Sequence, residues 1–189
     1  SAEETVSLLP VNLQSGHEAH SLNVTVPEDS RRIAEEVSGR LGLNAWVSNA
    51  GVSKMKRFTE ISDKDYSFTL DVNLKGVFFC GQAAAHAMIR QESGGVIVNT
   101  ASMAGKQGRV PFLADYVASK FGVIGLTQAM AFELAEHNIT VNSVCPGFVD
   151  TPMQARELAW EAELKGTTPD HVKDSWVADT PLNRLQKPE

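Results

Sequence analysis

The stretch GGVIVNTAS, residues 94–102, joins two glycines to a short run of β-branched residues and ends in small polar ones. That composition predicts a buried strand followed by a turn. After a loop, an apolar helix is predicted over residues 115–136 and a second strand over 139–144, closed by Pro146-Gly147. A strand, a helix and a strand in this order predict parallel pairing through a right-handed crossover.

The same alternation continues towards the N-terminus. Residues 45–47 predict a strand that stops at Ser48-Asn49-Ala50-Gly51, and residues 63–90 predict one long helix. Pro27 opens a further helix that Gly42 ends, while residues 17–24 predict a short strand and residues 2–14 a helix. Residues 151–189 predict two short polar helices and a tail. The fold class is therefore α/β, a doubly wound parallel sheet in one domain over residues 1–189.

Three turn signals each follow a predicted strand: Asn49-Ala50-Gly51, Ala101-Ser102 and Pro146-Gly147. Sheets of this class bind their ligands in a crevice beyond the carboxyl ends of the strands. We therefore expect the three turns to line one crevice.

Composition excludes several classes of function. A formal charge of −6 argues against nucleic acid as a partner, because binding phosphates needs clustered Lys and Arg. No apolar run approaches the ~18 residues that would cross a bilayer, so no membrane association is expected. Cys80 and Cys145 stand alone, without a second Cys or His at metal-ligand spacing. They predict free thiols, no metal site and a cytoplasmic protein.

Tyr116 and Lys120 stand four residues apart on the helix predicted over 115–136, so their side chains share one face. A nearby ammonium stabilises a phenolate and lowers the phenol pKa towards working pH, which suits proton transfer to a carbonyl. Ser102 follows a strand end, and its hydroxyl could hydrogen-bond the substrate oxygen. A chance Tyr–Lys spacing and an ordinary loop serine are the alternatives when each motif is taken alone.

Asn73 lies inside the apolar helix predicted over residues 63–90. Its amide competes for backbone hydrogen bonds, so a kink that exposes a carbonyl to a proton-relaying water is one interpretation. A packing or capping asparagine is the alternative.

Taken together, these motifs resemble the short-chain dehydrogenase/reductase family. Ser48-Asn49-Ala50-Gly51 resembles its Asn-Asn-Ala-Gly turn, and Tyr116-Val117-Ala118-Ser119-Lys120 matches its Tyr-x-x-x-Lys. Residues 99–102 resemble the segment that ends in the family's catalytic serine, and Asn73 falls at its helix asparagine. Pro146-Gly147 matches the turn that meets the nicotinamide carboxamide. Order and spacing agree from Leu22 to Glu189.

The resemblance implies an oxidoreductase that moves a hydride between NAD or NADP and a carbonyl or secondary alcohol. Tyr116 would be the acid/base, and Lys120 would lower its pKa and hold the nicotinamide ribose. Ser102 would orient the substrate oxygen, so that Ser102 and Tyr116 contact the substrate, and Asn73 would position the relay water. The implied cofactor contacts, besides Tyr116 and Lys120, are Asn23, Val24, Asn49, Ala50, Gly51, Pro146, Gly147, Val149 and Thr151.

The chain also departs from the family's pattern. Asn23 stands where the family usually has Asp, and Ser48 replaces the first Asn of the turn. The Gly-rich phosphate loop, the first two strands and the last strand have no counterpart, so we expect a fragment or a truncated relative. The end of the second strand, which usually decides between NAD and NADP, is then absent. The 189-residue chain is not expected to bind either dinucleotide.

The substrate and the class of protein stay open at this point. The polar stretch after Thr151 resembles relatives acting on acetoin and butanediol or on polyols, with 3-oxoacyl carrier-protein reductases as the near alternative. A non-catalytic scaffold of the same fold and a sugar-nucleotide epimerase are the rivals. The helices predicted over 63–90 and 115–136 are apolar nearly all round, which predicts a homo-oligomer, a tetramer or dimer built on these helices.

Overall fold

The computed structural model describes residues 17–188 and contains a sheet of three parallel strands. The strands are β1 (Ala45–Ser48), β2 (Gly95–Thr100) and β3 (Ile139–Val144), in the order β1-β2-β3. Val47 pairs with Val98, which pairs with Asn142 on the far side. The prediction of a parallel α/β sheet is confirmed, and all three strands fall where short apolar runs indicated them.

Six α-helices are described in residues 17–188. They are α1 (Pro27–Leu41), α2 (Asp63–Leu70), α3 (Gly76–Gln91), α4 (Ala114–Leu134), α5 (Pro152–Lys165) and α6 (Pro169–Ala178). Gly42 ends α1 with a positive φ of 74°, as expected for a glycine after a helix. The two helices α5 and α6 confirm the prediction of two short helices after residue 151. Both begin with a threonine cap followed by proline.

One face of the sheet carries the main core. Ile97 and Val141 point to this face and pack against Ala84 and Met88 of α3, with Met130 of α4 closing the cluster. Ile97, Ala84 and Met88 are almost fully buried. On the opposite face the side chains of Val47, Val96 and Val144 are exposed. The described helices α3 and α4 therefore cover one face and fix the strand ends that form the site.

The strand predicted over residues 17–24 is wrong. The chain there is irregular and turns at Val24 and Thr25. A strand needs a neighbour for its backbone groups, and none of the described strands pairs with this segment. Side chains of α1 hold it instead: Arg40 pairs with Glu18, and Arg32 donates to the Ser21 carbonyl at 3.0 Å. The helix predicted over residues 2–14 lies outside the described residues.

The single helix predicted over residues 63–90 is interrupted. Between α2 and α3 the chain forms a π-helical turn, Asp71–Lys75, with Asn73 at its centre. Such turns place one extra residue in a helix and occur often at functional sites. Periodicity did not reveal it because helical residues flank it on both sides. No helix in residues 17–188 is both long and apolar enough to span a bilayer.

Candidate active site

The loops that follow the three strands meet at the carboxyl edge of the sheet. Ala101 N donates to the Val144 carbonyl at 2.8 Å, and Met103 N donates to the Pro146 carbonyl at 2.9 Å. Thr100 Oγ1 donates to Asn49 Oδ1 at 3.0 Å. The three turn signals therefore line one crevice, as predicted from parallel topology.

Ser102 is held at this edge by a short 3₁₀ turn, Met103–Gly105. Its Oγ accepts from Ala104 N at 3.1 Å, which caps the turn. Gly105 lets the turn lie directly on the backbone of α4: a Cβ there would come within 2.6 Å of the Lys120 carbonyl oxygen. This close approach brings the Ser102 hydroxyl near the Tyr116 side chain, where it lowers the pKa of the phenol.

Tyr116 lies at the start of α4, partly buried in an apolar cluster that includes Leu113 and Leu158. Burial raises the pKa of its hydroxyl, the nearby Ser102 hydroxyl lowers it, and the carboxylate of Glu157 raises it. In the site as described, the phenol is therefore held in its neutral form at pH 7. A neutral phenol is the form that can donate a proton to a carbonyl.

Lys120 is 4% exposed, and its Nζ donates to the Thr100 carbonyl at 2.8 Å. The ammonium lies 5.5 Å from the centre of the Tyr116 ring. Burial lowers the pKa of Lys120 to about 8. Gly51 borders the same space, since a Cβ there would lie 3.8 Å from Lys120 Nζ. The two residues thus share one face of α4, and the predicted effect of Lys120 on the Tyr116 pKa stays a prediction.

Asn73 is fully buried, and its amide has a defined set of partners. Its Oδ1 accepts from Val52 N at 2.8 Å, while its Nδ2 donates to the Val52 carbonyl at 2.9 Å and to Ser119 Oγ at 3.2 Å. Ser119 Oγ in turn donates to the Tyr116 carbonyl. The side chain therefore fixes the loop after β1 against α4. The sequence indicated a special asparagine, and its role in holding a relay water stays a prediction.

A cleft of about 180 Å³ opens between the residues after β1 and the start of α3. Its lining includes Val24, Ser48, Asn49 and Ala50. Ser48 Oγ is buried there and has no hydrogen-bond partner within residues 17–188. An apolar slot with a free polar atom fits the flat adenine of a dinucleotide. Asn23 does not line this cleft: it is exposed, and its Oδ1 accepts from Thr25 N and Thr25 Oγ1.

The segment after β3 carries the carboxamide contacts that the family resemblance implies. Val149 N donates to Gln154 Oε1 at 2.9 Å, and Thr151 Oγ1 accepts from Gln154 N at 3.3 Å. Pro146 and Gly147 lie in the irregular stretch that leads into this segment. The side-chain carboxamide of Gln154 is therefore bound to Val149 N, the hydrogen-bond donor that is expected to meet the carboxamide of nicotinamide. The donor set fits that group, which would have to replace Gln154 at Val149 N.

Three polar residues of the site were missed by the sequence analysis. Ser53 Oγ donates to Glu157 Oε1 at 2.5 Å, and Gln154 Nε2 donates to Glu157 Oε2 at 3.1 Å. Gln154 and Glu157 are three residues apart on α5, a spacing that places them on one face. This spacing could have indicated the pair from the sequence. Because α5 contains many other polar residues, the pair did not stand out. Among residues 17–188, no cluster of His, Cys, Asp and Glu could hold a metal ion.

Comparisons with known proteins agree with this geometry. Residues 2–162 match the family model described as short chain dehydrogenase. Over 169 residues the chain is 37% identical to a 3-oxoacyl-[acyl-carrier-protein] reductase of Thermotoga maritima. The aligned region covers 89% of this chain and 63% of the relative. The chain thus spans less than two thirds of that relative's length.

Solved structures show the same fold. A sorbitol-6-phosphate 2-dehydrogenase from Erwinia amylovora superposes with a TM-score of 0.88 at 32% identity, over 98% of this chain and 72% of that one. An NAD⁺-bound xylitol dehydrogenase gives a TM-score of 0.83 at 30% identity, over 89% of this chain and 66% of that one. The family model covers most of the sequence, and its motifs meet in one crevice. The chain therefore belongs to the short-chain dehydrogenase family.

Proposed function

We propose that the full-length protein is an oxidoreductase that transfers a hydride between NAD or NADP and a carbonyl or secondary alcohol. One observation carries the proposal: Ser102, Tyr116 and Lys120 converge at the crevice that Gly51 also borders. A scaffold that had lost catalysis would have no need to bury a lysine beside a tyrosine.

The roles follow from the contacts. A bound dinucleotide would supply or accept the hydride. Tyr116 donates its hydroxyl proton to the substrate oxygen in reduction and takes it back in oxidation. Ser102 Oγ donates a hydrogen bond to the same oxygen as charge develops on it. Lys120 places a positive charge beside the phenolate, and Asn73 holds the loop that carries Gly51 against α4.

The assay that tests this function measures NADH and NADPH absorbance with full-length protein, a panel of diols, polyols and acetoin, and acetoacetyl-CoA. We expect turnover with at least one substrate class and a clear preference for one dinucleotide. Dinucleotide binding should also appear in a fluorescence titration without substrate. Binding and turnover both absent in folded protein would favour the non-catalytic scaffold and overturn the proposal.

We also propose that the protein is a homo-oligomer, with a second copy seated on α4. The buried side of α4 carries the site residues, and its exposed side carries Phe121, Gly125, Ala129 and Phe132. Phe132 is 90% exposed, which is unusual for a large apolar side chain. The alanines of α3 were expected to let a second copy approach closely. They are buried in the main core instead and pack towards the sheet. The free thiols Cys80 and Cys145 support a cytoplasmic location.

Replacing Gly125 with glutamate tests this surface. Gly125 has open space around its Cα, so the change does not disturb the single chain, but it places a charge in the proposed contact. Light scattering at micromolar concentration should show a tetramer or dimer for the unchanged protein and a smaller species for Gly125→Glu. Gly39→Glu, on exposed and equally open α1, is the control. A monomeric unchanged protein, or the same effect from the control, would count against the interface.

A further inference from the structure

Glu157 is a buried carboxylate beside the candidate catalytic tyrosine. It projects from α5, is 9% exposed, and acts electrostatically on Tyr116. Its neighbour in sequence, Leu158, packs in the same cluster as Tyr116. Ser53, which donates to Glu157, follows Val52, the residue that Asn73 holds through both backbone groups. Glu157 therefore lies against the loop after β1 and near enough to Tyr116 to raise the pKa of its hydroxyl.

The hydrogen bonding of Glu157 is incomplete. An ionised carboxylate offers about four acceptor positions, and Ser53 Oγ and Gln154 Nε2 fill two of them. Within residues 17–188 no ion pair involves Glu157, whereas Glu161, one turn further along α5, pairs with Lys165. Burial raises the pKa of Glu157 and the hydrogen bond from Ser53 lowers it, so further hydrogen-bond donors would favour the ionised carboxylate. The remaining acceptor positions of the carboxylate are available to hydrogen-bond donors of a bound ligand.

The two substrate classes differ in what they bring to this carboxylate. A diol or polyol carries a hydroxyl next to the reacting carbon, which can donate to Glu157. A 3-oxoacyl thioester has a methylene and a carbonyl there, neither of which donates a hydrogen bond. It would displace water from the carboxylate of Glu157 without forming a new hydrogen bond to it. Sites built to hydrogen-bond a substrate hydroxyl strongly reject analogues that lack it.

We propose that Glu157 is the specificity-determining residue of this site: it accepts a hydrogen bond from the hydroxyl beside the reacting carbon. The protein then acts on vicinal diols or polyols in preference to 3-oxoacyl thioesters. This inference rests on the proposed function and decides between the two substrate classes that the sequence leaves open.

A matched pair of substrates tests the role of Glu157. Butane-2,3-diol and butan-2-ol differ only in the second hydroxyl, and acetoacetyl-CoA represents the thioesters. For the full-length protein, kcat/KM for butane-2,3-diol should exceed that for butan-2-ol by about 100-fold or more. Glu157→Gln should reduce this ratio at least tenfold, chiefly through KM for the diol.

The controls separate specificity from folding and from the proposed function itself. Glu163→Gln, at an exposed position of the same helix, should leave the ratio unchanged. If Glu157 only anchors α5, Glu157→Gln will lower kcat/KM for diol and monoalcohol equally, and the inference is overturned. A preference for acetoacetyl-CoA over the diol also overturns it while leaving the oxidoreductase function intact. No hydride transfer from any substrate overturns both.

Discussion

Tyr116→Phe is expected to lower kcat by three to four orders of magnitude while the affinity for the dinucleotide stays within about twofold. The change removes one hydroxyl and keeps the ring that packs in the apolar cluster around Leu113. General acid–base catalysis contributes about 10² to 10⁴ in rate, and the proposed role of this hydroxyl is to donate the proton. Steady-state kinetics and a fluorescence titration with the reduced dinucleotide give the two quantities.

Tyr66→Phe is the matched control, because Tyr66 is the other tyrosine of the chain and is about half exposed on α2. It should leave kcat unchanged. Retention of more than about a tenth of the turnover by Tyr116→Phe would show that Tyr116 is not the acid/base. A parallel loss of dinucleotide affinity would instead indicate a binding role for the hydroxyl.

Lys120→Met is expected to abolish most turnover and, at the same time, to stabilise the protein at pH 7. Burial lowers the pKa of Lys120 to about 8 from 10.5, so keeping it protonated in the folded state costs roughly 3 kcal/mol. Removing the ammonium relieves that cost but loses the hydrogen bond to Thr100, which contributes about 1 kcal/mol. The net expectation is a gain of about 1 to 2 kcal/mol in the free energy of unfolding.

The pH dependence has a definite sign. Below pH 8 the lysine is protonated in both states, and the cost of burial is fully present. Between pH 8 and 10.5 the unfolded state binds more protons than the folded state, so the free energy of unfolding rises with pH. The stability difference between Lys120→Met and the unchanged protein should therefore narrow between pH 7 and pH 9.5.

Urea unfolding without cofactor, followed by circular dichroism at the two pH values, measures this difference. Lys64→Met, at an exposed position of α2, should show no comparable change with pH. The prediction fails if Lys120→Met is less stable than the unchanged protein at pH 7 and the difference in their free energies of unfolding does not vary with pH. That result would mean that burying Lys120 carries no electrostatic cost.

The sequence predicted the strands and the turns well for a physical reason. Ala45–Ser48, Gly95–Thr100 and Ile139–Val144 are short runs that contain apolar residues, and their side chains on one face join the core under α3 and α4. Parallel topology then places the turns that follow these strands at one edge of the sheet. The sequence alone therefore predicted that Ser102 and the Asn49 turn lie close together. Spacing on one helix placed Tyr116 beside Lys120.

What the sequence did not predict depends on partners distant in the chain. Residues 17–24 were predicted to form a strand, but a strand forms only where another strand accepts its hydrogen bonds. Glu157 looked like one of many surface charges of α5, because its burial depends on Ser53, about a hundred residues earlier. Likewise, Gln154 showed no sign of its bond to Val149 N.

The carboxamide of Gln154 at Val149 N bears on the energetics of dinucleotide binding. A ligand that replaces one amide–amide hydrogen bond with another gains little from that contact. The family-implied carboxamide contact would then orient the nicotinamide without adding much affinity, and affinity would come from the rest of the dinucleotide.

The π-helical turn at Asp71–Lys75 restricts how this part of the gene can change. Each residue advances an α-helix by about 100°, so one deletion within the turn would rotate α3 by that angle relative to α2. Ala84 and Met88 would leave the sheet, and the bond between Asn73 and Val52 would be lost. The stretch from Asp63 to Gln91 can therefore accept substitutions on its exposed side, whereas a one-codon deletion or insertion would separate the core from the site.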